Sequence, residues 1–519
     1  MKKITFPIIQ TLISLGLGTM GCTKLDTKVY DQVEHFWETE QQVSAGIAPA
    51  YAGLRNYVPL NGGVTDGIYA LLELSADGLI CPERAGNWRD GGLWERLWKH
   101  KWTPFDPSVQ NGWTFIFSGI TRINQILQTV SNLKPRPANY ASIVAELRTL
   151  RAFYNFLALD LFGNTPIVDS NNVNLDEIKP RSRVEVFNYV EKELKDNIPA
   201  LTTEVSTATY GRATRWFGYA VLAKLYLNAP IYTGTARWAD CVAACDAILQ
   251  SNNYRLEADY FANFKIANEG SKENIFVIPF DINAGLGSFW IQQATLHSQS
   301  NLTFGLQYSG YNSVCSPEAY YRLFDSADRR RRIFLVGQQY KNQVVDPANI
   351  QYTDDSKTIP LSFDPAFSNF HLQAPLAEVA GARCAKWEFN KDANFNMSND
   401  FAVFRLADII LMKAEALYRN QDASGALAVI NQRVSGISIR SRVGMPDFTP
   451  AELNLDGLLK ERALELAWEG WRRNDLIRFG HFTDARSPEK AQSEAFRLLY
   501  PIPKAELDKN PYLVQNTGY

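Results

Sequence analysis

Four tryptophans crowd fifteen residues: Trp88, Trp94, Trp98 and Trp102. The last three recur every four residues, which suits packing along a short helix and points to the core. Trp88 differs. It lies in the loop Gly86-Asn-Trp-Arg-Asp-Gly-Gly92, where no helical period buries it. An indole held there can cover a flat apolar face of a ligand, while neighbouring Asn and Asp side chains take its polar groups. A second irregular stretch, Gly285 to Tyr311, carries Phe289, Trp290, Phe304, Tyr308 and Tyr311. So long a segment without helical period is functional or a packed cap. Trp88 is therefore the candidate stacking residue, with Trp290, Tyr308 and Tyr311 able to complete a platform. The alternative is that Trp88 plugs a gap under its own loop.

Residue types for catalysis are poorly arranged. The five histidines, His35, His100, His297, His371 and His481, show no HExxH or paired spacing, and neither GxSxG nor a P-loop occurs. No CxxC pair exists, so zinc is not assigned. Asp392-Ala-Asn-Phe-Asn starts like a calcium loop but lacks its central Gly and terminal Glu, so no metal is assigned there either. Glu465 and Glu469 invite an acid–base pair, but no nucleophile or histidine lies nearby, and a salt-bridged structural helix is expected instead. A glycosidase pair stays open on sequence alone, because such carboxylates can be far apart in the chain. No enzyme activity and no cofactor are expected.

A length of 519 residues with 46% hydrophobic content suits a globular chain, and a net charge of −2 gives no electrostatic footprint for nucleic acid. Lys2 and Lys3 precede an apolar run from Ile4 to Leu17, the form of a signal peptide over residues 1–21. Gly16-Leu-Gly-Thr-Met-Gly21 matches GxGxxG but follows no strand and opens no helix. The five cysteines after Cys22 are expected as buried small hydrophobes.

Helical stripes cover Val43–Tyr57, Trp113–Val130, Ile143–Phe162, Arg183–Ile198, Trp216–Leu227 and Trp238–Leu249. The pattern Ala223-Lys-Leu-Tyr-Leu-Asn, turn, Ala-rich helix recurs at Ala414-Glu-Ala-Leu-Tyr-Arg-Asn before Gly425. Small and bulky residues so placed let helix pairs stack, as in tetratricopeptide repeats. The expected fold is mainly α, about four helical pairs with a loop-rich cap holding little β-structure. Repeats fall at about 40–270 and 400–480, a Trp-rich insertion at about 60–112, the cap at about 271–400 and a tail at 481–519. Asn274-Ile-Phe-Val-Ile-Pro-Phe reads as a strand. Leu459, Ala463, Leu466, Ala467 and Trp471 predict one helix from Leu458 to Gly480, with pairs Glu469–Arg473, Asp475–Arg478 and Arg462–Glu465 beside its buried stripe. Trp468 and Trp471 should be buried.

That last stretch, Glu461-Arg-Ala-Leu-Glu-Leu-Ala-Trp-Glu-Gly-Trp-Arg-Arg-Asn-Asp-Leu-Ile-Arg478, resembles the "ERRLELAFEGHRWFDLRR" signature of the SusD/RagB family. Four further motifs carry the resemblance: the Trp88 loop, Leu147-Arg-Thr-Leu-Arg-Ala-Phe-Tyr to Pro166, Phe404-Arg-Leu-Ala-Asp to Leu417, and Tyr500-Pro-Ile-Pro with Gln515-Asn-Thr-Gly-Tyr519. Thr517 replaces the family's usual Pro. Gly21-Cys22 is similar to the end of a lipobox, though Thr19 stands where Leu is usual, and implies lipidation at Cys22. The resemblance implies a single domain over 22–519, anchored by lipid in the outer membrane and facing the exterior. Such a protein captures glycan and delivers it to a TonB-dependent, SusC-like transporter; the alternative is a peptide ligand, as in the RagB branch. It also brings in Asp77, from Glu73-Leu-Ser-Ala-Asp-Gly, and Arg383, from Gly381-Ala-Arg-Cys, as hydrogen-bonding candidates.

Overall fold

The computed structural model describes residues 37, 39–58, 68–174, 176, 178–285, 290–393 and 396–519. The signal segment, Cys22, Asn61-Gly-Gly, Phe289 and the middle of the Asp392 loop lie outside those residues.

Four helix pairs form the body: Glu40–Ala52 with Pro107–Asn132, Tyr140–Leu161 with Arg183–Asn197, Arg215–Leu227 with Trp238–Leu249, and Leu406–Arg419 with Ala423–Ile430. Each pair also packs on the next, so the fourth, from the C-terminal part of the chain, stacks on the third. Small residues allow the close approach: Ala223, Ala414, Ala416 and Ala426 are fully buried between helices. At Gly119, a β-carbon would lie 2.4 Å from the Tyr154 ring, so only glycine fits where the first pair meets the second. Thr39 with Gln42, and Ser182 with Glu185, form capping boxes at two of the helix starts.

The stretch expected as one helix from Leu458 to Gly480 is two, Leu455–Glu465 and Arg472–Phe479. Trp468 at φ +60° and Gly470 at φ +84° break it. The break is held from a distance: Tyr69 donates to the Trp468 carbonyl (2.7 Å), the Trp468 indole N–H donates to the Gly78 carbonyl (2.9 Å), and the Gly470 N–H donates to Glu73 (2.6 Å). Gly480, at φ +83°, does end the second helix.

The charges of this stretch lie inside the protein. Glu469 binds Arg405 and Lys386, both at 2.6 Å, instead of Arg473. Arg462 pairs with Asp475 (2.9 Å) rather than with Glu465, and only Asp475–Arg478 (2.7 Å) follows the expected spacing. Glu465 is fully buried among Arg330, Arg405 and Arg442, at 3.2, 3.1 and 2.5 Å. Burial alone would push its carboxyl up, but the arginines prevail and hold it down at about 2. It is a structural anion with no route to a substrate.

Between residues 271 and 405 the chain builds a cap with short strands. Asn274–Ile278 pairs antiparallel with Phe401–Arg405, and Phe334–Leu335 with Arg383–Cys384. Glu83–Arg84 runs parallel to His371–Leu372, which brings the Trp-rich insertion onto the cap. Trp94, Trp98, Trp102, Trp468 and Trp471 are all buried, and Cys81, Cys241, Cys245, Cys315 and Cys384 are buried free thiols. No described helix is long and apolar enough to cross a membrane.

Candidate functional site

The Trp88 loop begins as a tight hairpin. Arg84 and Asn87 exchange two main-chain hydrogen bonds of 2.9 Å across Ala85 (φ +48°) and Gly86 (φ +88°). Two successive positive φ values are the geometry of a type I′ turn. The Arg84 side chain, 2% exposed, anchors it by donating to the carbonyls of Ala377 (2.8 Å) and Ala380 (2.9 Å). Trp88 then sits at φ +62°, a left-handed conformation unusual for a bulky residue. Backbone held in this region by its surroundings is a mark of functional loops. The indole is half-buried, and its N–H donates to the Tyr311 carbonyl at 3.1 Å.

Tyr311 comes from the other irregular segment. Its ring centroid lies 5.9 Å from that of Trp88, the planes inclined at 50°, and the side chain is 37% exposed. Gly310 makes this possible, since a β-carbon there would lie 2.0 Å from the Leu296 carbonyl oxygen. Main-chain bonds from Tyr311 to Gln293 (2.7 Å) and from Asn312 to Leu296 (2.8 Å) pin the segment to the helix Ile291–Thr295 and its end.

Beside the two rings opens a cleft of about 450 Å³ bordered by Arg84, Asn87, Asp90, His297, Ser298, Asn312 and Glu378. The Gln299 N–H donates to His297 Nδ1 (3.1 Å), so Nε2 carries the proton and donates to Glu378 at 2.9 Å. That hydrogen bond holds the Glu378 carboxyl below its ordinary value despite partial burial. Asp90 is oriented by the Trp94 indole N–H at 2.6 Å. Two inclined aromatic faces over a polar margin can take a ligand with apolar C–H faces and many hydroxyls.

The other expected site residues lie elsewhere. Arg383 is fully buried beneath the cleft and donates to Asn312 Oδ1 (2.6 Å) and to the Ala380 carbonyl (2.7 Å), so it props the floor instead of meeting a ligand. Asp77 is held by a two-pronged ion pair with Arg472, at 2.7 and 2.8 Å. Tyr308 is buried in a small apolar cluster with Leu296, Phe304 and Leu306. Trp290 donates to Asn396 Oδ1 at 2.5 Å and does not line the cleft. Sequence reasoning gave the loop's Asn and Asp only as residue types, without singling out Asn87 and Asp90, and missed His297, Ser298, Asn312 and Glu378. Asn87 and Asp90 flank Trp88 in the chain and were findable; Glu378 and His297 are joined to it only by the fold.

A larger cleft of about 700 Å³ borders the same loop, lined by Arg89, Glu95, Lys99, Lys101 and His371. Its phenyl ring, Phe370, is only 2% exposed, and its imidazole, His371, is held between Glu83 and Glu95, so it offers no broad aromatic platform.

Residues 381–519 match the model of the SusD family, and residues 82–227 match that of "Starch-binding associating with outer membrane". The chain is 23% identical to the starch-binding protein SusD of Bacteroides thetaiotaomicron, with 83% of this chain and 82% of that protein covered. It is 24% identical to the SusD-like protein P38 of Formosa agariphila over the full length of both. Among solved structures, a laminarin-binding SusD-like protein superposes with a TM-score of 0.73 at 22% identity, covering 93% of this chain and all of that one. Surface glycan-binding protein A from Bacteroides thetaiotaomicron, solved with laminarihexaose, gives 0.72 at 20% identity, covering 92% and 99%. With the helical pairs, the cap and both matched segments in agreement, the chain belongs to the SusD/RagB family.

Proposed function

We propose that this protein captures glycan at the cell surface and delivers it to a TonB-dependent outer-membrane transporter. The observation that carries the proposal is the convergence of Trp88 and Tyr311 from distant segments onto one polar-edged cleft. The names of its relatives, starch-binding and laminarin-binding, point the same way. The action is capture: the carboxylates nearest the family signature are locked in buried ion pairs, and the cleft needs only to stack and to hydrogen-bond. Lipid on Cys22 would hold the protein to the outer membrane with its cleft outward, and multiple acyl chains would make that hold firm.

A glycan array probed with the protein lacking residues 1–22 tests the binding. Recognition of one oligosaccharide class, lost in Trp88→Ala and Tyr311→Ala, is expected; no recognition of any glycan overturns it. Mass spectrometry of the mature N-terminus tests the anchor, and an unmodified Cys22 would refute it. Co-purification from gently solubilised outer membranes tests the transporter partnership, which recovery of the protein alone would refute.

A further inference from the structure

We propose that the glycan site extends across the Trp88 loop into the larger cleft on its other side, so that oligosaccharides long enough to cross the loop bind more tightly than those that cover only the aromatic platform. The extension rests on the glycan capture proposed above. The loop is a partition one backbone thick. Arg84, Asn87, Trp88 and Asp90 border the cleft of about 450 Å³, while Glu83, Arg89, Gly91 and Gly92 border that of about 700 Å³. Chain neighbours thus serve opposite sides, Trp88 the platform and Arg89 the far cleft. A single backbone with its side chains is roughly 5–10 Å thick, a distance that a glycan crosses within a few sugar units. The partition has low crossing points. Gly86 and Gly91 are exposed, and a β-carbon on either would meet nothing within 4 Å, so a chain can pass close over the backbone there.

The far cleft offers hydrogen-bonding groups to a chain that has crossed. Much of its lining is already tied down. His371 joins Glu83 and Glu95, and Lys99 joins Glu95 and Glu489 at 2.8 and 2.9 Å. Arg96 donates to Asp106 (2.8 Å) and to the Gly91 carbonyl (2.6 Å). Two cations remain for a ligand. Arg89 is exposed, and its side chain makes no hydrogen bond or ion pair among the described residues. Lys101 is 59% exposed and lies 3.6 Å from Glu494, itself 52% exposed, a loose pair that water and a ligand can readily displace. Glu83 has one carboxylate oxygen on His371, and the other is an acceptor at the border of the cleft. A sugar hydroxyl both donates and accepts, so guanidinium, ammonium and carboxylate satisfy it without a stacking face. Rings on one side of the loop take the faces of the sugars, and side chains on the other side take their edges.

The test is a size ladder of the oligosaccharide class selected on the array, from the disaccharide upward, titrated by calorimetry into wild type, Arg89→Ala, Lys101→Ala and Trp88→Ala. In wild type, affinity should keep rising with length beyond the shortest oligomer that binds. For the longest oligomer, Arg89→Ala and Lys101→Ala should each weaken binding by about two- to tenfold, the worth of one hydrogen bond. The shortest binder should be indifferent to both, whereas Trp88→Ala should weaken long and short alike. Lys101 lies outside the Trp88 loop, so a loss confined to long chains in Lys101→Ala cannot come from a disturbed platform. Affinity that stays flat with length, or long-chain binding unchanged in both variants, overturns the extension while leaving capture on the platform intact. Equal losses for short and long oligomers in Arg89→Ala overturn the place given to that residue in the far cleft. Failure of every oligomer to bind overturns both the extension and the function beneath it.

Discussion

Trp88→Ala should weaken glycan binding without unfolding the protein, and the structure sets the size of both effects. Loss of one aromatic stacking face costs about 1–3 kcal/mol by analogy with bases on aromatic platforms, or about 5- to 160-fold in Kd. The substitution also removes the indole N–H bond to the Tyr311 carbonyl, a solvent-facing bond worth about 0.5–1.5 kcal/mol of stability. Part of that is returned in Trp88→Gly, because glycine tolerates φ +62° where a side chain is strained by about 1–2 kcal/mol. Trp88→Phe keeps a ring and drops the N–H, which separates platform from latch. Since the ring centroids lie only 5.9 Å apart and the indole N–H bonds the Tyr311 carbonyl, the Trp88→Ala/Tyr311→Ala double variant should lose less than the sum of the two single losses. Calorimetric titration with an array-selected oligosaccharide, beside thermal melting, reads all of these. A stable Trp88→Ala protein that binds as tightly as wild type would refute the platform. A protein that melts much earlier yet keeps its affinity would show a plug instead.

Three further outcomes test the frame around the cleft. Trp471→Ala removes a ring that is 3% exposed and an indole N–H bound to the Val403 carbonyl, and should cost about 3–5 kcal/mol in denaturant unfolding; a loss under about 1 kcal/mol would show that the site refills. Glu465→Gln leaves Arg330, Arg405 and Arg442 short of one buried anion and should cost about 3–5 kcal/mol, against almost nothing if the cluster were solvent-screened. His371, between Glu83 (2.7 Å) and Glu95 (3.3 Å), has a raised pKa, chiefly from the Glu83 hydrogen bond. Its stabilisation is therefore complete below the unfolded histidine value of about 6.5 and is lost as pH rises through the folded value. The melting difference between wild type and His371→Gln should be larger near pH 5.5 than near pH 8.5, and a difference independent of pH would refute the clasp.

Helix pairs were legible because each buries one stripe, and a stripe repeats in the sequence; Trp238–Leu249 matches its expected bounds to the residue. The strand at Asn274–Ile278 was legible as an apolar run too short for a helix. The break at Trp468 was not, because hydrogen bonds from Tyr69 and Glu73, far back in the chain, outweigh local helical preference. Spacing rules for charges assume a solvent-facing helix, so they misassigned Glu469 and Arg462, whose partners lie on other elements. In the cleft, loop composition singled out Trp88 and Tyr311. It could not separate Tyr311 from Tyr308, three residues earlier, because the difference lies in which ring finds an apolar neighbour. Glu378 carries no local signal at all.

The contacts between Tyr69–Asp77 and Trp468–Arg472 also govern when the chain can fold during its synthesis. They join residues 395 to 399 positions apart. At about 5–20 residues per second, a ribosome needs roughly 20–80 s to deliver the second partner after the first. Through that interval Glu73 has no Gly470 N–H, and Tyr69 lacks the Trp468 carbonyl. The early helices therefore emerge long before the segment that closes over them. Nascent chains stalled short of Trp468 should stay sensitive to protease around residues 69–77, and release of the C-terminal stretch should be the event that protects them.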